Sequence, residues 1–295
     1  MKRSCAAVLA LLVGVTAFSQ ESPSPTMASV LAAADESDWR RLEQRRLLYL
    51  VLDRGVVVFE LAPSFAPKHV ANIERLADRG YWDGLAIVRS QDNYVVQWGD
   101  PNAGTPAARP LGDVQSLAPE FFAEASGGFR SIGSTDSYAP QVGFAGGFPA
   151  ASDGDRSWLT HCYGMLGVGR GTEPDSGSGA QLYVVTGHAP RHLDRNVTLV
   201  GRVVHGIERL SSLPRGTGPL GFYEGTDEHV PIRRIRLGSQ LPPEERLPLE
   251  RLRTDTPTFA ELVEARRFRR EDWFIEPAGS IGVCNVPLPV RQAAE

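Results

Sequence analysis

Lysine is nearly absent from this 295-residue chain: Lys2 and Lys68 stand alone among 31 basic residues. The basic set is therefore almost wholly arginine, so no arginine is marked as functional by its identity alone. Against 35 acidic residues the formal net charge is −4, which speaks against a nucleic-acid partner, since such binding draws on a basic face. Cysteine is scarce as well, at three, which excludes a small disulfide scaffold. No C-x-x-C pair is present, and although His188 and His192 are four apart they fall in a stretch that reads as a loop beside His161 and Cys162, so no metal is expected. Residues 167–171, though glycine-rich, have neither the lysine nor the following helix of a phosphate loop. After residue 19 no apolar run approaches the ~20 residues of a spanning helix, so no integral membrane span is expected in the processed chain.

What is present begins with a targeting signal. Lys2 and Arg3 precede an apolar run over residues 6–18, broken only by Gly14 and Thr16, and Ala17-Phe18-Ser19 offers small residues for cleavage. Residues 1–19 are thus expected to be a signal peptide that exports the chain, to a periplasm in a bacterium. Cys5 would leave with it. Cys162 and Cys284 would remain, either bonded in an oxidising compartment or as two buried thiols; the sequence leaves both open. It carries no signal for an oligomeric state.

Thirty glycines and 22 prolines suit a loop-rich β protein. Residues 20–46 are expected to be a Pro/Ser linker followed by a helical segment that Asp38 caps. Residues 47–52 and 56–61, short and apolar around Asp53-Arg54-Gly55, predict a β-hairpin. Across residues 66–79 the period changes: Val70, Ile73, Leu76 and Ala77 form one helical stripe, ended by Gly80. Short β-like runs recur at 86–90, 93–98, 164–169, 181–187, 198–204 and 231–238. The connection over 102–160 reads as a long polar loop, and 205–213 as a second helix. This pattern predicts a mainly β fold, a closed antiparallel barrel of about eight strands capped by two helices. The barrel domain is placed at 47–238 and a C-terminal extension at 239–295. In that extension 240–257 reads as linker, 259–268 as helix and 279–286 as a strand containing Cys284.

Three segments carry the chemistry. The first runs Gly80-Tyr81-Trp82-Asp83-Gly84, Ala86-Ile87-Val88-Arg89, then Asn93-Tyr94-Val95-Val96-Gln97-Trp98-Gly99-Asp100-Pro101. The second is Gly164-Met165-Leu166-Gly167-Val168-Gly169-Arg170. The third joins Gln181-Leu182-Tyr183-Val184-Val185-Thr186 to His192-Leu193-Asp194 and Leu199-Val200-Gly201-Arg202-Val203-Val204. In this order they resemble the cyclophilin-type peptidyl-prolyl cis-trans isomerases. That family has an aromatic–His–Arg triplet before aromatic-Met-x-Gln-Gly-Gly-Asp, then Gly-x-Leu-x-Met-Ala, Gln-Phe-Phe-Ile, Leu-Asp and Phe-Gly-x-Val elements. The resemblance covers about two thirds of the chain. It implies a cyclophilin-like barrel, isomerase activity on proline-containing polypeptides, and no cofactor. It also implies that Arg89 is catalytic and that Tyr94, Val95, Tyr183 and Leu193 line the proline pocket. Gln97 and Gln181 would position the substrate backbone, Gly169 to Gly171 would receive the residue before proline, and His192 takes a rim position often filled by Trp.

The physics agrees with those residue types. An X–Pro bond turns slowly against an amide barrier of ~18–20 kcal/mol, without any bond breaking. Catalysis then needs an apolar slot for the ring and a donor that favours the twisted amide over both planar forms. Strand alternation predicts that Ile87 and Arg89 share a face, as do Val95 and Gln97. The chain departs from the family at Val88 (His), Val95 (Met), Tyr94 (Phe) and Trp98 (Gly). Those changes motivate an alternative: a catalytically weak proline-binding or chaperone module on the same fold. A third reading makes it an assembly component that holds a partner through residues 240–295.

Overall fold

The chain opens its barrel with the predicted hairpin. Leu47–Leu52 and Gly55–Leu61 pair antiparallel, with Leu52 opposite Gly55 across the two-residue turn Asp53-Arg54. Alternation then sorts the side chains. Leu48, Leu50, Leu52, Val57, Phe59 and Leu61 enter the main core, while Leu47, Tyr49 and Val58 face a smaller cluster with Leu241 and Leu249. The computed structural model describes residues 25–124, 128–175 and 177–293; the expected signal peptide lies outside them.

Eight antiparallel strands close the barrel. Their order is Met165–Val168, Leu182–Val185, Val95–Gly99, Ala86–Ser90, Val230–Leu237, Leu47–Leu52, Gly55–Leu61 and Leu199–His205, the last pairing back to the first. Helix Pro67–Asp78 caps this core with Val70, Ile73, Leu76 and Ala77, the stripe read from the sequence. It stops where Gly80 takes φ +65°: Gly80 N–H donates to Ala77 O and Tyr81 N–H to Leu76 O, satisfying the last carbonyls. A second short helix, Glu208–Ser211, adds Leu210, and Leu213 follows it into the same core. Truncating such a fully buried leucine to alanine costs about 2–5 kcal/mol. Among the described residues no helix is long and apolar enough to cross a membrane.

Outside the barrel the sequence expectation needs correcting. The stretch read as a loop over 102–160 contains a five-stranded antiparallel sheet: Ala123–Glu124, Arg156–Leu159, Phe148–Ser152, Gln141–Ala145 and Phe129–Ser131, in spatial order. Its glycine, proline and alanine content hides it from a β-propensity reading, yet at Gly143 close approach requires the glycine. A Cβ on Gly143 would lie 1.9 Å from the Arg130 carbonyl oxygen. Phe144, Phe148 and Trp158 pack with the barrel's outer residues Val95, Met165, Tyr183 and Val185 into a second core.

The two extensions complete that layer together. Trp39–Arg41, expected in a helix, is instead a strand on Leu249–Leu252, which in turn pairs with Val290–Gln292. Residues 240–257 are therefore not a linker throughout, and the expected strand at 279–286 is replaced by a 3-10 turn, Val283–Asn285. Helix Pro257–Phe268 buries Phe259, Leu262 and Val263 in the second core beside Val30 of the helix Met27–Ala32. Asp38 caps no helix over 39–46. Its Oδ2 accepts from the Asp35 N–H and the Thr258 hydroxyl, at 3.0 and 2.8 Å.

Two further ties hold the extension. Cys162, on the turn entering Met165–Val168, is bonded to Cys284, with Cα atoms 4.9 Å apart. Arg251 Nε donates to Glu60 Oε1 at 3.0 Å, and Arg202 Nε lies 3.5 Å from Glu60 Oε2; all three side chains are nearly buried. Burial depresses the Arg202 pKa, with Glu60 opposing.

Candidate active site

Arg89 lies on the barrel's outside because the expected alternation breaks. Ile87 pairs with Trp98 but Arg89 pairs with Gln97, a register shift that marks a bulge between them. Ile87 therefore enters the barrel core while Arg89 is turned out beside Gln97, contrary to the single face predicted for the pair. Its guanidinium is held from three sides. Nη1 donates to Gln97 Oε1 at 3.1 Å, Nε to the Leu220 carbonyl at 2.8 Å, and Nη2 to Gln91 Oε1. Its carbon lies 5.7 Å from the Tyr94 ring centre and 5.1 Å from that of Phe222. Burial lowers the Arg89 pKa and Tyr94 works against that shift; burial raises the Tyr94 pKa and Arg89 opposes it. Of five guanidinium N–H groups three are engaged, and two remain for a ligand.

A cleft of about 460 Å³ opens in front of this fork. Tyr94, Val95, Tyr183 and Leu193 form apolar wall, and Gly169, Arg170 and Gly171 also line it. The arrangement offers a charged, planar donor beside a slot large enough for a proline ring. It contains no nucleophile–base pair.

Below the slot runs a buried polar chain. The Tyr183 hydroxyl is 2.8 Å from His161 Nε2, and His161 Nδ1 is 2.9 Å from Asp194 Oδ1. Arg191 bonds Asp194 Oδ2 at 2.5 Å and reaches both oxygens of Asp136. Desolvation drives the Tyr183 pKa up and the His161 pKa down, the latter resisted by Asp194.

A sequence model described as cyclophilin type peptidyl-prolyl cis-trans isomerase matches residues 47–237, the whole barrel. The chain belongs to that family. A solved cyclophilin from Hirschia baltica, AquaCyp293, superposes with a TM-score of 0.69 at 26% identity, covering 92% of this chain and 99% of that one. Peptidyl-prolyl cis-trans isomerase B of Bacillus subtilis is 27% identical over 169 residues, 57% of this chain and 90% of its own. A Neurospora crassa peptidyl-prolyl cis-trans isomerase-like 2 is 31% identical over 96 residues, which span 30% of this chain and only 16% of that protein.

In this cyclophilin the cleft brings together Arg89, Tyr94, Val95, Gln97, Gly169, Tyr183 and Leu193 from the residues singled out in the sequence. Two others stand elsewhere. Gln181 turns along its strand over Gly99, where it fills the space of a missing Cβ, and donates to the Asp100 carbonyl at 3.0 Å. It is therefore a brace between strands and not part of the wall. His192 is exposed, with its ring stacked 6.1 Å from that of Tyr94 and Nε2 3.4 Å from the hydroxyl. It supports the back of a wall residue from outside the cleft. Sequence reasoning missed Gln91 and Leu220, which both line the cleft. The signal available was the turn chemistry of Gly218-Pro219-Leu220-Gly221, whose Gly221 lets the loop pass so close to Gln91 that a Cβ would sit 2.5 Å from its Cα.

Proposed function

We propose that this cyclophilin accelerates rotation about X–Pro bonds in exported polypeptides, with Arg89 as the catalytic residue. The proline ring enters between Tyr94, Val95, Tyr183 and Leu193. The two unengaged N–H groups of Arg89 address the proline carbonyl and the imide nitrogen. That nitrogen regains its lone pair only when the amide twists, so a donor aimed there stabilises the transition state above either planar isomer. The observation that carries the reading is the Arg89 fork, fixed by Gln97, Gln91 and Leu220 at the mouth of an apolar slot. Export is supported by the basic and apolar start of the sequence, and by a Cys162–Cys284 bond of the kind that persists in oxidising compartments. The test is isomerisation of a proline tetrapeptide by the processed protein, followed by NMR exchange; a folded protein with no rate above the uncatalysed one refutes it.

A second reading has one specific observation behind it. The Leu220 carbonyl occupies Arg89 Nε, and Leu220 itself is held at φ +57° over the cleft. A fork already bonded to its own loop fits a module that binds proline segments and turns them over slowly. Saturable peptide binding without rate acceleration would select this reading.

A further inference from the structure

We infer that His161 is a positioning residue for the proline slot: it keeps the Tyr183 hydroxyl turned away from the cleft and thereby keeps the ring out of it. The inference rests on the reading of the cleft as a proline slot. Tyr183 lies across Gly167 on the neighbouring strand, where a Cβ would stand 2.2 Å from its Cζ. The absent side chain lets the ring lie flat along the strand with its hydroxyl directed into the protein. A hydroxyl buried there needs a partner, and among the described residues His161 supplies it. The imidazole is fully buried. Asp194 Oδ1 accepts from the His161 backbone N–H at 2.8 Å and from Nδ1 at 2.9 Å. Nδ1 therefore holds the proton, and Nε2 presents a lone pair to the tyrosine O–H.

Remove that acceptor and the hydroxyl is left unsatisfied in the core. The cleft is the open side of the ring, since Tyr183 lines it. Swinging the hydroxyl into cleft water would restore a partner and place the ring where the proline has to enter. Protonation alone would not break the contact, because the phenol oxygen can accept from an Nε2–H as well as donate to a lone pair. Burial in any case keeps the His161 pKa below the ordinary imidazole range, while Asp194 opposes the shift and Arg191 and His192 reinforce it. On the Tyr183 side, Tyr94 and Arg170 supply the remaining titratable charges, and Asp136 stands behind Arg191.

The experiment measures binding and isomerisation of an Ala-Ala-Pro-Phe peptide by four full-length proteins: wild type, His161→Ala, Tyr183→Phe and the double variant. His161→Ala is expected to weaken the peptide roughly tenfold, the worth of a buried hydroxyl stripped of its partner. Phenylalanine has no hydroxyl to satisfy, so the double variant should return to within about twofold of Tyr183→Phe alone. A merely structural loss at His161 predicts no such rescue. Equal binding by His161→Ala and wild type, or no rescue, overturns the inference. Should His161→Ala fail to fold, His161→Met takes its place, a side chain of similar volume whose sulfur is only a weak acceptor. It too should bind the peptide more weakly, and adding Tyr183→Phe should rescue it; unchanged binding or no rescue overturns the inference. A wild type that neither binds nor isomerises the peptide refutes the slot itself, and then a crystal structure of His161→Ala or His161→Met with the Tyr183 ring unmoved overturns the positioning role separately.

Discussion

Replacing Arg89 by alanine should abolish most catalysis while leaving the barrel and most peptide affinity in place. The slot is built by Tyr94, Val95, Tyr183 and Leu193, none of which depends on Arg89 for its backbone position within a strand or turn. What is lost is a preorganised donor, a class of change that costs about 10²–10³ in rate, or roughly 2.7–4 kcal/mol. The folding cost is smaller. The Leu220 carbonyl loses a bond and Phe222 a stacked cation, together about 1–2 kcal/mol at a half-buried site. Arg89→Lys sharpens the test by counting donors. An ammonium has three N–H groups, whereas Leu220, Gln97, Gln91 and a substrate carbonyl present four acceptors. Lysine should therefore either release the loop or leave the substrate unbonded, and recover little rate. NMR exchange of a proline tetrapeptide reads kcat/KM, and circular dichroism reads folding. A folded Arg89→Ala protein turning over the peptide at near the wild-type rate would refute the mechanism.

Glu60→Gln should destabilise the protein by about 3–5 kcal/mol in urea unfolding, because it leaves Arg202 and Arg251 buried without a counter-charge. Arg251→Met should cost less, since Glu60 and Arg202 then remain as a neutral pair; equal losses would sink that account. Reducing the Cys162–Cys284 bond, which spans 122 residues, should lower stability by about 2–5 kcal/mol. Identical free-thiol counts in native and fully reduced samples would show that the bond is not there. His161 is neutral in the fold with a lowered pKa, whereas the unfolded chain protonates it normally, so its contribution is complete above the unfolded value and is lost as pH falls towards the folded one. Urea titrations of wild type and His161→Gln between pH 7 and 5 should diverge accordingly, and parallel curves would exclude it. Exported protein should begin near Ser19 or Gln20 on N-terminal sequencing; retention of Met1 would exclude cleavage.

The barrel was legible because its signals are local. Leu48 to Leu61 alternate, Val70 to Ala77 keep a helical stripe, and Gly80 stops it. The outer layer was not, because its signals are distant or compositional. Trp39-Arg40-Arg41 forms a strand only because Leu249–Leu252 supplies the ladder, a partner more than 200 residues away. Phe148-Pro149-Ala150-Ala151 has little β propensity and is a strand because Gln141–Ala145 and Arg156–Leu159 flank it. At the site, the wall residues could be placed by resemblance, but the bulge that turns Arg89 outward and the loop that puts Leu220 on its Nε depend on tertiary approach. The His161–Tyr183 bond was invisible for the same reason. His161 was weighed only with Cys162, His188 and His192 as a metal set, and its actual partners lie on a strand and a turn further along.

The order of strands around the barrel also sets a timetable. Leu47–Leu52 and Gly55–Leu61 are the first barrel strands to be made, yet their outer neighbours are Val230–Leu237 and Leu199–His205, the last two. A chain delivered from its N-terminus at roughly 5–20 residues per second leaves that hairpin with both flanks bare for roughly 7–29 s and with one flank bare until roughly 9–35 s. During that interval Arg89 has no barrel around it, since Ala86–Ser90 shares the Val230–Leu237 strand. Closure therefore cannot begin a segment at a time. It waits for the whole barrel sequence to emerge, and until then two open strand edges invite pairing with any other unfinished chain nearby.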